Sequence, residues 1–295
     1  LDPQVQTPPL SSPSHAHARP RGYAVEVMAQ HDAAPADMNS PGLVGVVLAG
    51  GRGTRLLPLT RVANKHLLPV YDRPMVFHAL GALAAIGVRR AIVVCDAESE
   101  PTFRRMLESP AEHGLESIEL IRQAEPRGIA DALASAAPTV AGSDLLVFLA
   151  DNLFGGSLTP AVEEFRRCGA DGMVLLSAVT NPREFGIAHF DGSRGRLIEI
   201  IEKPERPPTD LAVTGAYFYK PSVLDLLDEL RPTDRGDFEI TDLNNALLRR
   251  GVLDWSDVEG WWCDAGTIEG LRRATNLVAE KGVNGHPPHI QIQGR

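Results

Sequence analysis

Directly after the apolar run GLVGVVLA (42–49), the chain reads Gly50-Gly51-Arg52-Gly53-Thr54-Arg55. Glycines that close a strand leave backbone N–H groups free to face an anion, and an arginine beside them adds a forked cationic donor. The stretch is therefore suited to holding phosphate. Its spacing fits neither common phosphate loop. A P-loop needs Lys followed by Ser or Thr after its last glycine, and none is present; the dinucleotide fingerprint needs a third glycine where Leu56 stands. A P-loop is excluded, and NAD(P)-dependent oxidoreduction is left as a poor alternative. Lys65, in NKHLLPVYDRPM, is a second cation close behind the loop.

Asp151 ends the apolar run DLLVFLA (144–150), so its carboxylate should leave the sheet edge, and Asp264 follows in WCDAGT. Taken singly, an Asp after a strand more often forms a turn or caps a helix. Brought together, the two would offer hard oxygen ligands for Mg²⁺, which takes carboxylates plus substrate phosphate. Gln123 carries an amide with one donor and one acceptor end. Glu202 and Lys203, at the end of a strand candidate, read on their own as solvated surface. His66 reads as a residue that packs or hydrogen-bonds locally.

The formal net charge of −9 argues against a nucleic-acid partner, since phosphate backbones are bound by basic surfaces. No apolar run is long enough to span a bilayer, and no membrane partner is expected. Cys95, Cys168 and Cys263 are odd in number and in no zinc spacing, which fits a reducing cytoplasm. Residues 1–42, rich in Pro, Ser, Ala and His, are expected to be a disordered N-terminal extension. Its HAH at 15–17 has metal-ligand residue types but no structural context. The first residue is Leu, and Met38 suggests a start nearer the first strand, with the preceding segment dispensable.

These residues need a scaffold that gathers them. From residue 43, short β-branched runs alternate with Ala/Leu-rich amphipathic stretches, the pattern of a doubly wound, mainly parallel α/β sheet. Strands are expected at 42–49, 91–95, 117–121 and 144–150, with helices near 74–86, 99–108 and 128–137. After Asp151, GMVLLSAV, GIAHF, RLIEII and AVTGAYFY are strand candidates that extend the mixed sheet and wall its C-terminal edge, where open α/β sheets bind ligands. Helices are expected near 221–229, 240–250 and 267–281. The catalytic domain is read as 43–282 and residues 283–295 as a flexible tail.

LAGGRGTRLLPLT followed by NKHLLPVYDRPM resembles the signature of the sugar nucleotidylyltransferases. The resemblance continues in order through QAEPRGIADAL, LADNLF, REFGIAHF, IEKPERP, VTGAYFY, GDFEITDLN and WWCDAGT. It implies a Rossmann-like fold and transfer of a nucleoside monophosphate from dTTP, or UTP, to a sugar 1-phosphate such as glucose 1-phosphate. Arg55, Lys65 and Asp151 would be catalytic, and Asp151 and Asp264 would hold Mg²⁺. Leu48, Ala49, Gly50, Gly51, Gly53, Thr54, Gln123 and Gly128 would bind the nucleotide. Asn152, Gly186, Glu202, Lys203, Thr214 and Gly215 would bind the sugar phosphate. The chain departs at QAEPRGIADAL, where relatives often read QPxPxGLAQA, and at His66, often Gln. Longer members carry extra C-terminal helices that help build an effector site, and a homo-oligomer with weak or absent feedback inhibition is expected. A catalytically silent nucleotide-sugar sensor is the rival from another class.

Overall fold

The computed structural model describes residues 42–287 apart from 141, 193, 234 and 235. The expected N-terminal extension through residue 41, with its HAH and Met38, lies outside the described residues.

The first strand, β1 (Val44–Leu48), is buried along its whole length, as expected of a strand covered on both faces. A glycine-rich loop and three short 3₁₀ turns follow it, then a two-residue ribbon of β2 (Pro69–Val70) and β3 (Arg73–Pro74) that leads into α1 (Met75–Ala85). Next come β4 (Arg90–Cys95), α2 (Glu100–Met106), β5 (Ser117–Arg122), α3 (Ile129–Val140) and β6 (Leu145–Leu149). Strands β6, β1, β4 and β5 lie side by side, all parallel. Val47, Val93 and Phe148 face α1 and α2 on one side, while Val46, Ile92 and Val147 face α3 on the other. This is the expected doubly wound sheet.

The second half adds β7 (Asn152–Phe154), α4 (Thr159–Cys168), β8 (Gly172–Ala178), β9 (Gly186–Phe190), β10 (Leu197–Glu202) and β11 (Leu211–Tyr219). A 3₁₀ stretch (Pro221–Glu229), α5 (Ile240–Arg250), β12 (Leu253–Asp257), β13 (Trp262–Asp264) and α6 (Ile268–Lys281) complete it. Strand β11 runs antiparallel to β6 and β8, and β12 runs parallel to β8, so the sheet is mixed. The β9–β10 hairpin pairs with the first half of β11 through Ala212 and Ile187. It stands beyond the carboxyl end of β6 and forms the expected wall. Residues 221–229, expected as a helix, form one of 3₁₀ type that opens on a proline.

Residues 283–287, read from the sequence as part of a tail, fold back onto the domain. The Asn284 and Gly285 N–H groups donate to the carbonyls of Phe154 and Gly155, and the Asn284 side-chain amide donates to the His78 carbonyl at 3.0 Å. These bonds hold the segment in register with β7. Among the described residues no helix is long and apolar enough to cross a membrane.

Candidate active site

The carboxyl ends of β1, β5 and β6 deliver Leu48, Gln123 and Asp151 to one rim, because parallel strands all present the same end there. A cavity of about 720 Å³ opens on that rim. Of the expected site residues, Leu48, Gly50, Gly51, Arg55, Lys65, Gln123, Gly128, Asp151, Asn152, Gly186, Glu202, Lys203, Thr214, Gly215 and Asp264 line it. Ala49, Gly53 and Thr54 do not. Ala49 is packed in the core, Gly53 opens a 3₁₀ turn with φ 57°, and Thr54 is exposed in that turn.

Lys65 reaches Asp151 across 86 residues of sequence, Nζ to Oδ2 at 2.5 Å. Its placement depends on Asn64, which sequence reasoning passed over. Asn64 Nδ2 donates to the Asp96 carboxylate at 2.7 Å, with the Ala49 carbonyl at 3.3 Å, so its Oδ1 must face the other way. There Oδ1 accepts the His66 N–H at 2.8 Å and fixes the 3₁₀ turn Lys65–Leu67. His66 Nδ1 lies 3.0 Å from the same oxygen and must donate to it, leaving Nε2 as an acceptor. Burial, reinforced by Lys65, pushes the ring down to about 3, so His66 is a neutral wall of the cavity.

The short β7–β13 ribbon sets Asp264 opposite Asn152, and the Ala265 N–H donates to the Asp151 carbonyl at 2.8 Å. Both carboxylates then converge on Gly266. A Cβ there would stand 2.8 Å from Asp264 Oδ1, 3.1 Å from Asp151 Oδ2 and 3.0 Å from Arg55 Nη2. Only glycine leaves that space open. Burial works to raise Asp151, but Lys65, with smaller contributions from His66 and the Asn152 hydrogen bond, holds the carboxyl below the usual range. Burial and the neighbouring Asp151 charge push Asp264 up to about 6. Lys65 is in direct contact with Asp151 and the Arg55 guanidinium stands 4.0 Å from Asp264, and the hard oxygens of the two carboxylates fit a Mg²⁺ ion. Among the described residues no cluster of three or more His, Cys, Asp or Glu could hold a metal.

Asn152 is nearly fully buried. Its Oδ1 accepts from Gly215 N–H at 2.9 Å and Trp262 Nε1 at 2.7 Å, which turns Nδ2 toward Asp151 Oδ1 at 3.1 Å. Expected as a sugar-phosphate ligand, it thus also steadies Asp151. A Cβ on Gly215 would lie 2.5 Å from Asn152 Cγ. Gly215→Ala is therefore expected to displace that amide and cost about 1–3 kcal/mol, read as a lower urea midpoint with turnover falling as Asp151 loses its support.

On the opposite wall, Glu202 Oε2 accepts from Thr241 Oγ1 at 2.9 Å, and Lys203 Nζ holds Oε1 at 2.9 Å. Lys203 adopts φ 44°, a left-handed conformation rare for a non-glycine residue and of the kind that collects at functional sites. A Cβ on Gly186 would stand 3.2 Å from Glu202 Oε2, so Gly186 leaves room over that carboxylate. Tyr217 also lines the cavity, and its hydroxyl is pushed far up by burial and then by Glu202, Asp151, Glu239 and Asp264. Period-two alternation on β11 places it on the face of Val213 and Gly215, the signal that could have found it. Among the described residues the buried Thr214 hydroxyl has no hydrogen-bond partner.

A glycine loop, a lysine–aspartate pair and a second aspartate, gathered at the carboxyl edge of a doubly wound sheet, define an α/β protein equipped for nucleotide phosphates. The sequence profile described as nucleotidyl transferase matches residues 44–281. The chain is 37% identical over 237 residues to the glucose-1-phosphate thymidylyltransferase of Neisseria meningitidis, covering 79% of this chain and 82% of that protein. It is 36% identical over 237 residues to the low-salt glycan biosynthesis nucleotidyltransferase Agl11 of Haloferax volcanii, covering 80% of this chain and 66% of that one. A Bacillus anthracis protein provisionally named glucose-1-phosphate thymidylyltransferase, solved with a sucrose, matches with a TM-score of 0.75 and 40% identity over 80% of this chain and 95% of its own. A UDP-glucose pyrophosphorylase solved with UDP-glucose, 21% identical with a TM-score of 0.71 over 81% of this chain and 99% of its own, shares the fold. The chain belongs to the nucleotidyl transferase family, and it is an enzyme of that kind.

Proposed function

We propose that this nucleotidyltransferase joins dTTP to a sugar 1-phosphate, with glucose 1-phosphate as the sugar partner, and releases pyrophosphate. The observation that carries the reading is the convergence of Arg55, Asp151 and Asp264 on the open space at Gly266, with Lys65 bonded to Asp151, in the same cavity that Glu202 and Lys203 line. Relatives bearing the name glucose-1-phosphate thymidylyltransferase support it. UTP is the alternative nucleotide.

A sugar-phosphate oxygen is ionised at neutral pH and needs no protein nucleophile. It attacks the α-phosphorus in line; the new P–O bond forms as the α–β anhydride bond breaks, and pyrophosphate departs with that electron pair. The protein's task is to hold two mutually repelling polyanions and to meet the charge that develops between them. Lys65 and Arg55 supply fixed positive charge beside the glycine loop. Asp151 and Asp264 would hold Mg²⁺, which neutralises triphosphate charge. Lys203 meets the sugar phosphate, Glu202 accepts from sugar hydroxyls, Gly186 admits the pyranose ring, and Gly215 lines the same pocket while making room for the Asn152 amide. Gln123 and the Gly128 backbone meet the base, with Leu48, Ile129, Ala132 and Leu149 as apolar wall.

The test is pyrophosphate release over a grid of dTTP, UTP, CTP, ATP and GTP against glucose, galactose and N-acetylglucosamine 1-phosphates. Glucose 1-phosphate with dTTP should be fastest. UTP should follow within about tenfold to a hundredfold, the range that one methyl group in an apolar pocket supports. Nucleotide binding without pyrophosphate release from any pair would favour a silent sensor instead.

A further inference from the structure

We propose that Asp131 is a positioning residue that locks the Gln123 amide in one of its two orientations, so that the site offers the nucleobase an acceptor oxygen and rejects cytosine. The inference deepens the proposed function and rests on its reading that Gln123 meets the base. Gln123 is 6% exposed, at the carboxyl end of β5. One atom of its amide lies 2.8 Å from Asp131 Oδ2 and 3.3 Å from the Gly128 carbonyl. A carboxylate and a carbonyl both only accept, so the atom between them must be the amide nitrogen, and both its hydrogens are engaged. The carbonyl oxygen then has one direction left. It faces the glycine loop, where a Cβ on Gly50 would stand 3.1 Å from it, and both residues line the cavity. Among the described residues no donor reaches this oxygen.

Asp131 is itself held. Its Oδ1 accepts from Arg127 Nη2 at 2.7 Å, and the Arg127 guanidinium lies 5.6 Å from the centre of the Phe238 ring. It stands in the first turn of α3, where the helix dipole favours a negative charge. The amide is therefore frozen from behind by a group that is not among the residues lining the cavity.

The consequence is a choice among pyrimidines. Thymine and uracil carry a hydrogen on N3 and can donate it to the fixed oxygen. Cytosine has a lone pair at N3, which would meet the amide oxygen's own lone pairs. An amide free to rotate could turn Nε2 to that lone pair and accept cytosine as well. Asp131 removes that option, so rejection of cytosine depends on a residue outside the contact surface.

The experiment measures kcat/KM for dTTP, UTP and CTP with glucose 1-phosphate, and calorimetric affinities for dTTP and CTP, in the wild type, Q123A, D131A and D131N. Asparagine is isosteric and can turn either amide end toward Gln123, so D131N carries the test should D131A not fold. In both Asp131 variants the CTP-to-dTTP ratio should rise about tenfold, as expected when one misdirected hydrogen bond is relieved. The UTP-to-dTTP ratio should stay unchanged, because those bases share the edge that is read. An equal fall for all three nucleotides would mean that Asp131 only supports α3 and would overturn the proposal while leaving the Gln123 reading intact. An unchanged nucleotide ranking in Q123A would remove the base reading itself, and this inference with it.

Discussion

Lys65→Met should lower turnover by about a hundredfold to a thousandfold, the usual effect of deleting one preorganised charge-stabilising donor. It should also lower the melting temperature in a pH-dependent way. Lys65 is the direct partner of a nearly buried carboxylate, with the Arg55 guanidinium 4.0 Å from Asp264 instead. Removing one member of a buried pair leaves the other uncompensated, at about 3–5 kcal/mol. The sign follows from the direction of the Asp151 shift. Its folded-state pKa lies below the unfolded value, so the pair contributes stability above the unfolded pKa and loses it as pH falls through the folded one. In the variant, burial raises Asp151 instead, and protonation relieves the strain. The deficit should be large at pH 7.5 and shrink toward pH 4. A constant deficit across that range would show that Lys65 contributes packing and no charge.

The parallel half of the sheet was legible because β1, β4 and β6 are buried on both faces and appear as unbroken apolar runs. The expected bounds 91–95 and 144–150 fall within a residue of the observed Arg90–Cys95 and Leu145–Leu149. The strands β12 and β13 were not expected. Leu253–Asp257 is half-buried and carries only two apolar residues, and Trp262–Asp264 is only three residues long, so both are too short for their patterns to stand out. That short ribbon nevertheless sets Asp264 beside Asp151. The pairing of distant acids came from ordered motif resemblance, since nothing in local periodicity brings residue 264 to residue 151. Asn64 and Asp131 were missed for a related reason. The two polar side chains act through amide orientation, and hydrogen bonds between amides and carboxylates leave no trace in composition or spacing.

Asp264→Asn should separate catalysis from stability in opposite directions. The substitution keeps size and an oxygen able to accept the Gly266 N–H, a bond of 2.7 Å in the native protein. Turnover should fall by orders of magnitude, because the proposed Mg²⁺ site loses half of its charge. Stability of the metal-free protein should rise. The Asp264 pKa is raised from 3.8 to about 6, first by burial and then by Asp151. A carboxyl raised in this way contributes stability below its unfolded pKa and loses it as pH climbs through the folded value. Above pH 6 the wild type therefore holds two like charges close together, and the neutral asparagine relieves them. We expect D264N to be more stable by about 1–3 kcal/mol at pH 7.5, with the advantage fading between pH 6 and pH 4. Added Mg²⁺ should raise the melting temperature of the wild type and leave the variant unmoved, since an ion restores to the acid pair the compensation that asparagine no longer needs. A variant less stable than wild type at pH 7.5 without metal would mean that Asp264 is already compensated, and the two acids would then not be a site waiting for a cation.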